Sequence, residues 1–389
     1  MKIVDVAEFY TDTGGGVKTY INQKIEAARE YGHEMVIIAP GVASGEEIRN
    51  GARIIWVKGP KLILDPNYVV LWRKKEVYKI LDRESPDILE GSSTLTGGYF
   101  AGKWKGNAVK SLIFHQDPVA AYPHVFLNKL FSFNRIDQIF RFVWKYIRNV
   151  SRMYDTTIVS SNWLNKRLQK FSINNPKTIE FGIDKYFFSP SRRNSKLRKK
   201  LLNQLDLDEN STLFITISRF HPEKRLSTII NGFEKASRKK PMGLIIFGSE
   251  PLKSWIKFKC KNNKHIKLMG FTANRDELAD IMASSDFFVH GSGSETFGLV
   301  ISEAICSGLP VVIPDAGGAS DFNKYTCSTV YKTGDSDNLA QALLNLIDND
   351  RSVLVKNCRS VAKQNISSVD NHFKNLFTYY QELLANRTE

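Results

Sequence analysis

Cysteine is scarce in this chain, and the four present, Cys260, Cys306, Cys327 and Cys358, lie far apart. They form no CxxC and no Cys/His pair at zinc spacing, which excludes a disulfide scaffold and a structural zinc site. Long hydrophobic runs are missing too: no apolar stretch approaches the ~20 residues that cross a bilayer. The opening residues, MKIVDVAEFY, lack a basic start followed by an apolar run, so no secretory signal is expected. A reduced, cytoplasmic setting follows from these absences. Acid is short relative to base. Lys and Arg number 55 against 40 Asp and Glu, a formal net charge of +15. That excess implies an anionic partner, whether membrane surface, nucleic acid or phosphorylated substrate, and does not choose among them.

What is present is a regular alternation. Residues 2–7 read as a buried strand; Gly14-Gly15-Gly16 then turn into a helix from Val17 to Tyr31, stopped by Gly32. Further strands are expected at 34–39, 53–57, 87–90, 111–115, 156–160 and 178–181. Residues 189–211 form a polar, basic break. A second series follows at 213–218, 243–247, 266–269, 286–289, 310–313 and 328–331, and the chain is helical from about Asn338. Short apolar strands alternating with helices mean parallel βαβ units and doubly wound α/β sheets. The expected domains are 1–188, joined by a terminal helix at 371–389, and 189–370. Two such Rossmann-like domains facing each other would make a cleft at the carboxyl ends of their strands, where ligands of open α/β sheets bind.

The densest pattern is 286–318, DFFVHGSGSETFGLVISEAICSGLPVVIPDAGG. It reads as strand, glycine loop, helix, strand, with the helix periodicity starting at Phe297. Glu295 stands just before the helix and Glu303 inside it, about 12 Å apart along a helical axis. Free N–H groups near Phe297 and Gly298, at the positive helix end, would lie between them. A ligand with hydroxyls at both ends and a diphosphate in the middle, such as a nucleotide sugar, fits that layout.

ETFGLVISE followed by A-x-x-x-G-x-P-V-V resembles the donor signature of retaining glycosyltransferase family 4, the glycosyl transferases of group 1. The resemblance implies the GT-B fold, with the last helix returning to the first domain. It implies that Glu295 binds hexose hydroxyls, that Glu303 binds the ribose, and that Thr296, Phe297, Gly298 and Leu299 lie near sugar and phosphates. Arg219 and Lys224, in SRFHPEKR after the first strand of the second domain, resemble the family's R-x-x-x-x-K pair that holds the two phosphates. Cations there would neutralise the departing diphosphate.

Gly15 and Gly16 lack GxGxxG spacing, and the second strand ends Ala39-Pro40 without an acid, so a nicotinamide site is not expected. Bare backbone there would admit a substrate, or simply make a tight turn; the family carries a glycine pair against donor phosphates and acceptor. A histidine after an apolar run is ordinarily structural, but the family places one at His115, beside the donor sugar. Asp117 would orient His115 or touch the acceptor. Base recognition would come from Gly248-Ser249-Glu250 and from Gly270-Phe271-Thr272, although relatives have Gly-Asp-Gly-Pro at the first loop. His221 and His290 receive no role. Asp335-Ser336-Asp337 has the form of a manganese motif but reads better as a helix cap. No metal and no cofactor is expected.

Residues 129–152 interleave six Lys/Arg with six aromatics and a single acid, Asp137. This is either an amphipathic core helix with a basic outer face or a peripheral contact with anionic membrane. The reading is a retaining, metal-independent GT-B hexosyltransferase using a nucleoside diphosphate sugar, with UDP-sugars ranked before GDP-mannose. Its acceptor would be a glycan or a lipid-linked molecule, its work cell-surface polysaccharide or glycolipid biosynthesis, and its place the cytoplasm or the inner face of the plasma membrane. The alternatives are a non-hydrolysing nucleotide-sugar epimerase of the same fold, or a basic protein binding nucleic acid or an anionic surface. No nucleic-acid motif supports the last.

Overall fold

The structure, a computed structural model, describes residues 1–11, 16–61, 69–127, 130–248, 252–270 and 274–388. Gly14, Gly15, Lys129, Ser249, Glu250, Phe271 and Thr272 lie outside the described residues. The chain divides into two compact units, 1–117 with 134–180 and 369–389, and 118–133 with 181–368.

Among the described residues, eight strands form the first unit's sheet: β1 (Lys2–Val6), β2 (Glu34–Gly41), β3 (Gly45–Arg49), β4 (Ala52–Lys58), β5 (Ile88–Gly91), β6 (Val109–Ile113), β7 (Thr156–Val159) and β8 (Pro176–Thr178). Their order is β3-β4-β2-β1-β5-β6-β7-β8. All neighbours are parallel except β3, which pairs antiparallel with β4 at the edge. That edge strand, GEEIR, is exposed and polar, so no apolar run announced it. The central strands are buried on both faces, as their unbroken Val/Ile/Leu content requires.

Helix Val369–Thr388 belongs to this unit and buries Phe373, Leu376, Phe377 and Tyr380. Its periodicity is apolar on one face, and that face has the first unit's core to pack against.

The second unit's sheet is parallel throughout: β9 (Thr212–Ile217), β10 (Met242–Phe247), β11 (Ile266–Gly270), β12 (Phe287–Val289), β13 (Val311–Pro314) and β14 (Ser328–Tyr331), in the order β11-β10-β9-β12-β13-β14. Apolar clusters cover its two faces, one built around Ile215, Phe288 and Ile313 and the other around Phe214, Phe233 and Val312. The expected boundary at 188/189 falls eight residues late. Ile183 and Phe188 are buried in the second unit's core, and the Ile183 amide donates to the Ser367 carbonyl at 2.9 Å, which ties 181–188 to that side. The return point is 368/369 for the same reason.

Asp335 caps helix Ser336–Ile347 by accepting from the Asp337 and Asn338 amides at 2.9 and 3.0 Å. Asp350 caps the next helix through the Ser352 amide at 2.8 Å. The string Asp335-Ser336-Asp337, and with it Asp348-Asn349-Asp350, is thus accounted for by a helix start. Among the described residues, no group of three or more His, Cys, Asp or Glu is arranged to hold a metal, and no helix is long and apolar enough to cross a membrane.

Candidate donor-sugar site

In the second unit, three loops at strand carboxyl ends build one constellation. The chain leaving β9 makes a tight turn at Pro222–Lys224 and enters helix Leu226–Ser237. The chain leaving β12 passes through His290 to Glu295 and enters helix Leu299–Cys306. Lys224 Nζ lies 2.9 Å from Glu295 Oε2 and 3.6 Å from Glu223 Oε1. His290 Nε2 stands 3.4 Å from the same Glu295 oxygen, and Tyr331 holds the His290 carbonyl by donating to it at 3.0 Å. Burial alone would raise the Glu295 pKa, but Lys224 and His290 overcome it and hold the carboxyl well below its usual range. Burial would lower the Lys224 pKa; Glu295 and Glu223 raise it instead. Both groups are therefore fixed in their charged forms at neutral pH.

The periodicity at Phe297 misplaces the helix start by two residues. The first helical residue is Leu299, and Gly298 precedes it at φ +99°, a left-handed conformation that a side chain would strain. Glu295 through Gly298 is loop, so a helical rise does not measure the separation of Glu295 and Glu303. The amides of Leu299 and Val300 bond no carbonyl of the chain among the described residues, and they open the helix at its positive end. Glu303 lies in the helix's second turn. Burial pushes its carboxyl up to about 7, with Arg275 opposing.

The third loop holds the second in place. The Gly318 amide donates to the Glu295 carbonyl at 2.5 Å, and a Cβ at Gly318 would stand 2.4 Å from the Thr296 carbonyl oxygen. Only glycine permits that approach. Gly270 closes β11 at φ +77° and accepts from the Gly248 amide at 2.9 Å. Arg219 is more exposed than Lys224, and its guanidinium comes within 3.9 Å of the buried Glu223.

In the first unit, Gly16 opens helix Gly16–Glu30 with free space beside it, so packing does not demand a glycine there. His115 follows β6 and lies edge-on to Tyr20, ring centroids 5.4 Å apart. Burial drives its pKa down to about 4, with Asp5 and Lys24 acting in opposite senses, so the ring is neutral. Asp117 is paired inside the unit. Its side chain has no exposure and is ion-paired with Arg167, which also bonds Asp137 at 2.9 and 3.0 Å and packs against the stacked rings of Trp144 and Phe171. A buried carboxylate must be paired, and here the partner comes from within the unit. Asp117 thus has its structural partner in Arg167.

His290 is the residue that sequence reasoning missed. It was legible as the first residue after an apolar strand, five before Glu295. The fold of the intervening loop, which returns the Glu295 side chain to it, was not. Arg225 was missed as well: it adopts a left-handed φ of +47° at the start of helix Leu226–Ser237, unusual for a side-chain-bearing residue.

The family model for glycosyl transferases group 1 matches residues 198–365, and that for Glycosyltransferase Family 4 matches residues 14–186. Between them they take in both units. A GDP-mannose-dependent alpha-mannosyltransferase of Mycobacterium tuberculosis is 27% identical over 334 residues, covering 83% of this chain and 81% of its own. A GDP-mannose-dependent alpha-(1-6)-phosphatidylinositol dimannoside mannosyltransferase of the same species is 24% identical, covering 80% and 79%. Among solved structures, the sucrose-phosphate synthase of Thermosynechococcus elongatus superimposes with a TM-score of 0.78 at 16% identity, over 99% of this chain and 100% of its own, a likeness of fold. Fold and site define a glycosyltransferase of the GT-B class. The chain belongs to glycosyltransferase family 4.

Proposed function

We propose that this glycosyltransferase moves a hexose, with retention of anomeric configuration and without a metal, from a nucleoside diphosphate sugar to a hydroxyl of a glycan or lipid-linked acceptor. The observation that carries the reading is the Lys224–Glu295–His290 constellation at the start of helix Leu299–Cys306, with Glu303 further along the same helix. Glu295, held ionised, accepts hydrogen bonds from sugar hydroxyls. Lys224 and Arg219 offset the charge that the diphosphate gains as its bond to the sugar breaks. The open amides of Leu299 and Val300 add fixed positive potential there. Glu303 accepts from the ribose. In the first unit, the family resemblance assigns neutral His115 to the donor sugar, and Gly16 leaves backbone open to substrate. Retention by same-face attack needs no protein nucleophile, because a phosphate oxygen of the leaving group takes the acceptor proton.

For the donor, the mycobacterial relatives move GDP-mannose ahead of the UDP-sugars that the sequence alone ranked first. For the acceptor, helix Arg141–Ser151 buries Trp144, Ile147 and Val150 and exposes Phe142 and Tyr146 beside Arg141 and Lys145. That face suits a peripheral contact with anionic lipid around a lipid-linked acceptor. The test is calorimetric titration with GDP, UDP and ADP, each with magnesium and with EDTA, on the wild type and on Glu303→Ala. Binding of one nucleotide, indifferent to EDTA and weakened in the variant, is expected. A requirement for magnesium would remove the metal-independent reading; indifference to all three nucleotides would remove the donor site.

A further inference from the structure

A second surface, on helix Lys253–Cys260 of the unit that carries the donor loops, has the chemistry of an interface. Helix Lys253–Cys260, KSWIKFKC, buries Ile256 and Cys260 against the second unit's core. At 100° per residue, the direction opposite those two belongs to Phe258, which is 76% exposed. Trp255, 42% exposed, stands on one shoulder of that ridge beside Lys259, whose ammonium lies 5.5 Å from the indole centroid. Lys257 and Lys261 occupy the other shoulder, and Lys253 precedes them. From Lys253 to Asn274 the sequence has six lysines and no Asp or Glu. Lys264 pairs with Asp206 and Lys267 bonds Gln204, but among the described residues Lys253, Lys257 and Lys261 have no carboxylate within ion-pair distance. An exposed apolar ring on the crest costs free energy in water and gains it at a bilayer surface, where ammonium groups without a carboxylate partner among the described residues meet anionic headgroups.

We infer that this face docks on anionic lipid, the rings of Phe258 and Trp255 entering the headgroup boundary and Lys253, Lys257 and Lys261 meeting lipid phosphates. Lysines flanking an outermost aromatic ring match the depth order of a bilayer interface, apolar innermost and charge at the headgroups. The docking surface is independent of the donor assignment, so either can fail alone.

The test is co-sedimentation of the full chain with vesicles of phosphatidylcholine alone or with about one-third phosphatidylglycerol. Binding to the anionic vesicles only is expected. Phe258→Ser with Trp255→Ser should weaken it about tenfold, and each Lys→Gln change at 253, 257 or 261 about fivefold, with nucleotide affinity unchanged. Phe142→Ser with Tyr146→Ser measures the first unit's share. Wild-type affinity in the 255/258 variant would overturn the inference, as would absence of vesicle binding by the wild type. So would loss in the lysine variants alone, accompanied by full competition from soluble polyphosphate, since that describes an acidic polymer.

Discussion

Two lysine–glutamate ion pairs in this molecule share a chemistry and differ in everything else. In the first unit, Lys24 bonds Asp5 at 2.6 Å and also Glu90, with no exposure at any of the three. Tyr380 donates to Glu90 at 2.7 Å and approaches Ser111 at 3.1 Å. In the second unit, Lys224 and Glu295 are each nearly a fifth exposed, and the helix start beside them has amides without acceptors. The buried cluster draws its partners from β1, β5, β6 and two helices, and acts as a cross-link in the first unit. The loop pair leaves hydrogen-bonding capacity turned outward, which a packed interior does not tolerate and a binding site requires.

The contrast can be broken from either side. The largest expected effect is that of Lys24→Met, which leaves two buried carboxylates without a cation. It should cost about 3–5 kcal/mol in chemical denaturation, enough to deplete the folded protein. Adding Asp5→Asn and Glu90→Gln should recover much of the loss. If Lys24→Met alone were as stable as wild type, the cluster would not be the cross-link described. Lys224→Ala should behave oppositely. Hexose transfer should fall about a hundredfold or more, while stability changes by about 1 kcal/mol or less, since the pair is partly solvated. A large drop in stability with transfer intact would make the loop pair structural.

The same contrast decides what the sequence could reveal. Glu295, Gly298 and Glu303 lie within nine consecutive residues, so a local pattern carried the candidate donor site, and the apolar strands of both sheets stood out as unbroken runs. Lys24, Asp5, Glu90, Ser111 and Tyr380 come from five separated segments, and nothing near any of them announces the others. The pairing of Asp117 was hidden for the same reason: its partner Arg167 is 50 residues away. The edge strand Gly45–Arg49 escaped because it has no buried face to impose alternation. Local chemistry is legible where one loop supplies it. Pairing across the fold is not.

Glu303 stands between the two classes, a half-buried carboxyl with no ion-pair partner among the described residues. Its native pKa of about 7 lies above the ordinary 4.5, so the folded state holds the proton more tightly than the unfolded one. Stability from this group is complete at low pH and is lost as pH rises from about 4.5 through 7. Glu303→Gln should therefore raise stability at pH 8 by about 2 kcal/mol, allowing for partial solvent access, and leave it unchanged at pH 4. Nucleotide binding should show the reverse cost. The carboxylate accepts ribose hydroxyls better than the acid does, so wild-type affinity should rise through pH 7 while the variant stays flat and weaker. A wild-type affinity independent of pH would detach Glu303 from the ribose.

The smallest effect sharpens the comparison most. Tyr380→Phe removes one hydroxyl from helix Val369–Thr388 and one donor from Glu90, while Glu90 keeps its bond to Lys24. A hydrogen bond to a charged acceptor is worth about 1.5–3 kcal/mol, and retention of the ring and of the Lys24 bond sets the expectation at the lower end, about 1–2 kcal/mol. Because the hydroxyl bonds Glu90 and Ser111, both of the first unit, the KM for the donor should be unchanged. His115 gives a finer gauge, since Tyr20 links it to His372 of the same terminal helix through a 5.4 Å ring contact and a 3.3 Å hydroxyl contact. If the network only supports the unit, Tyr380→Phe lowers the unfolding midpoint and nothing else. If it also fixes the His115 ring, kcat falls with the midpoint while nucleotide affinity holds, and the buried cluster gains a part in the reaction.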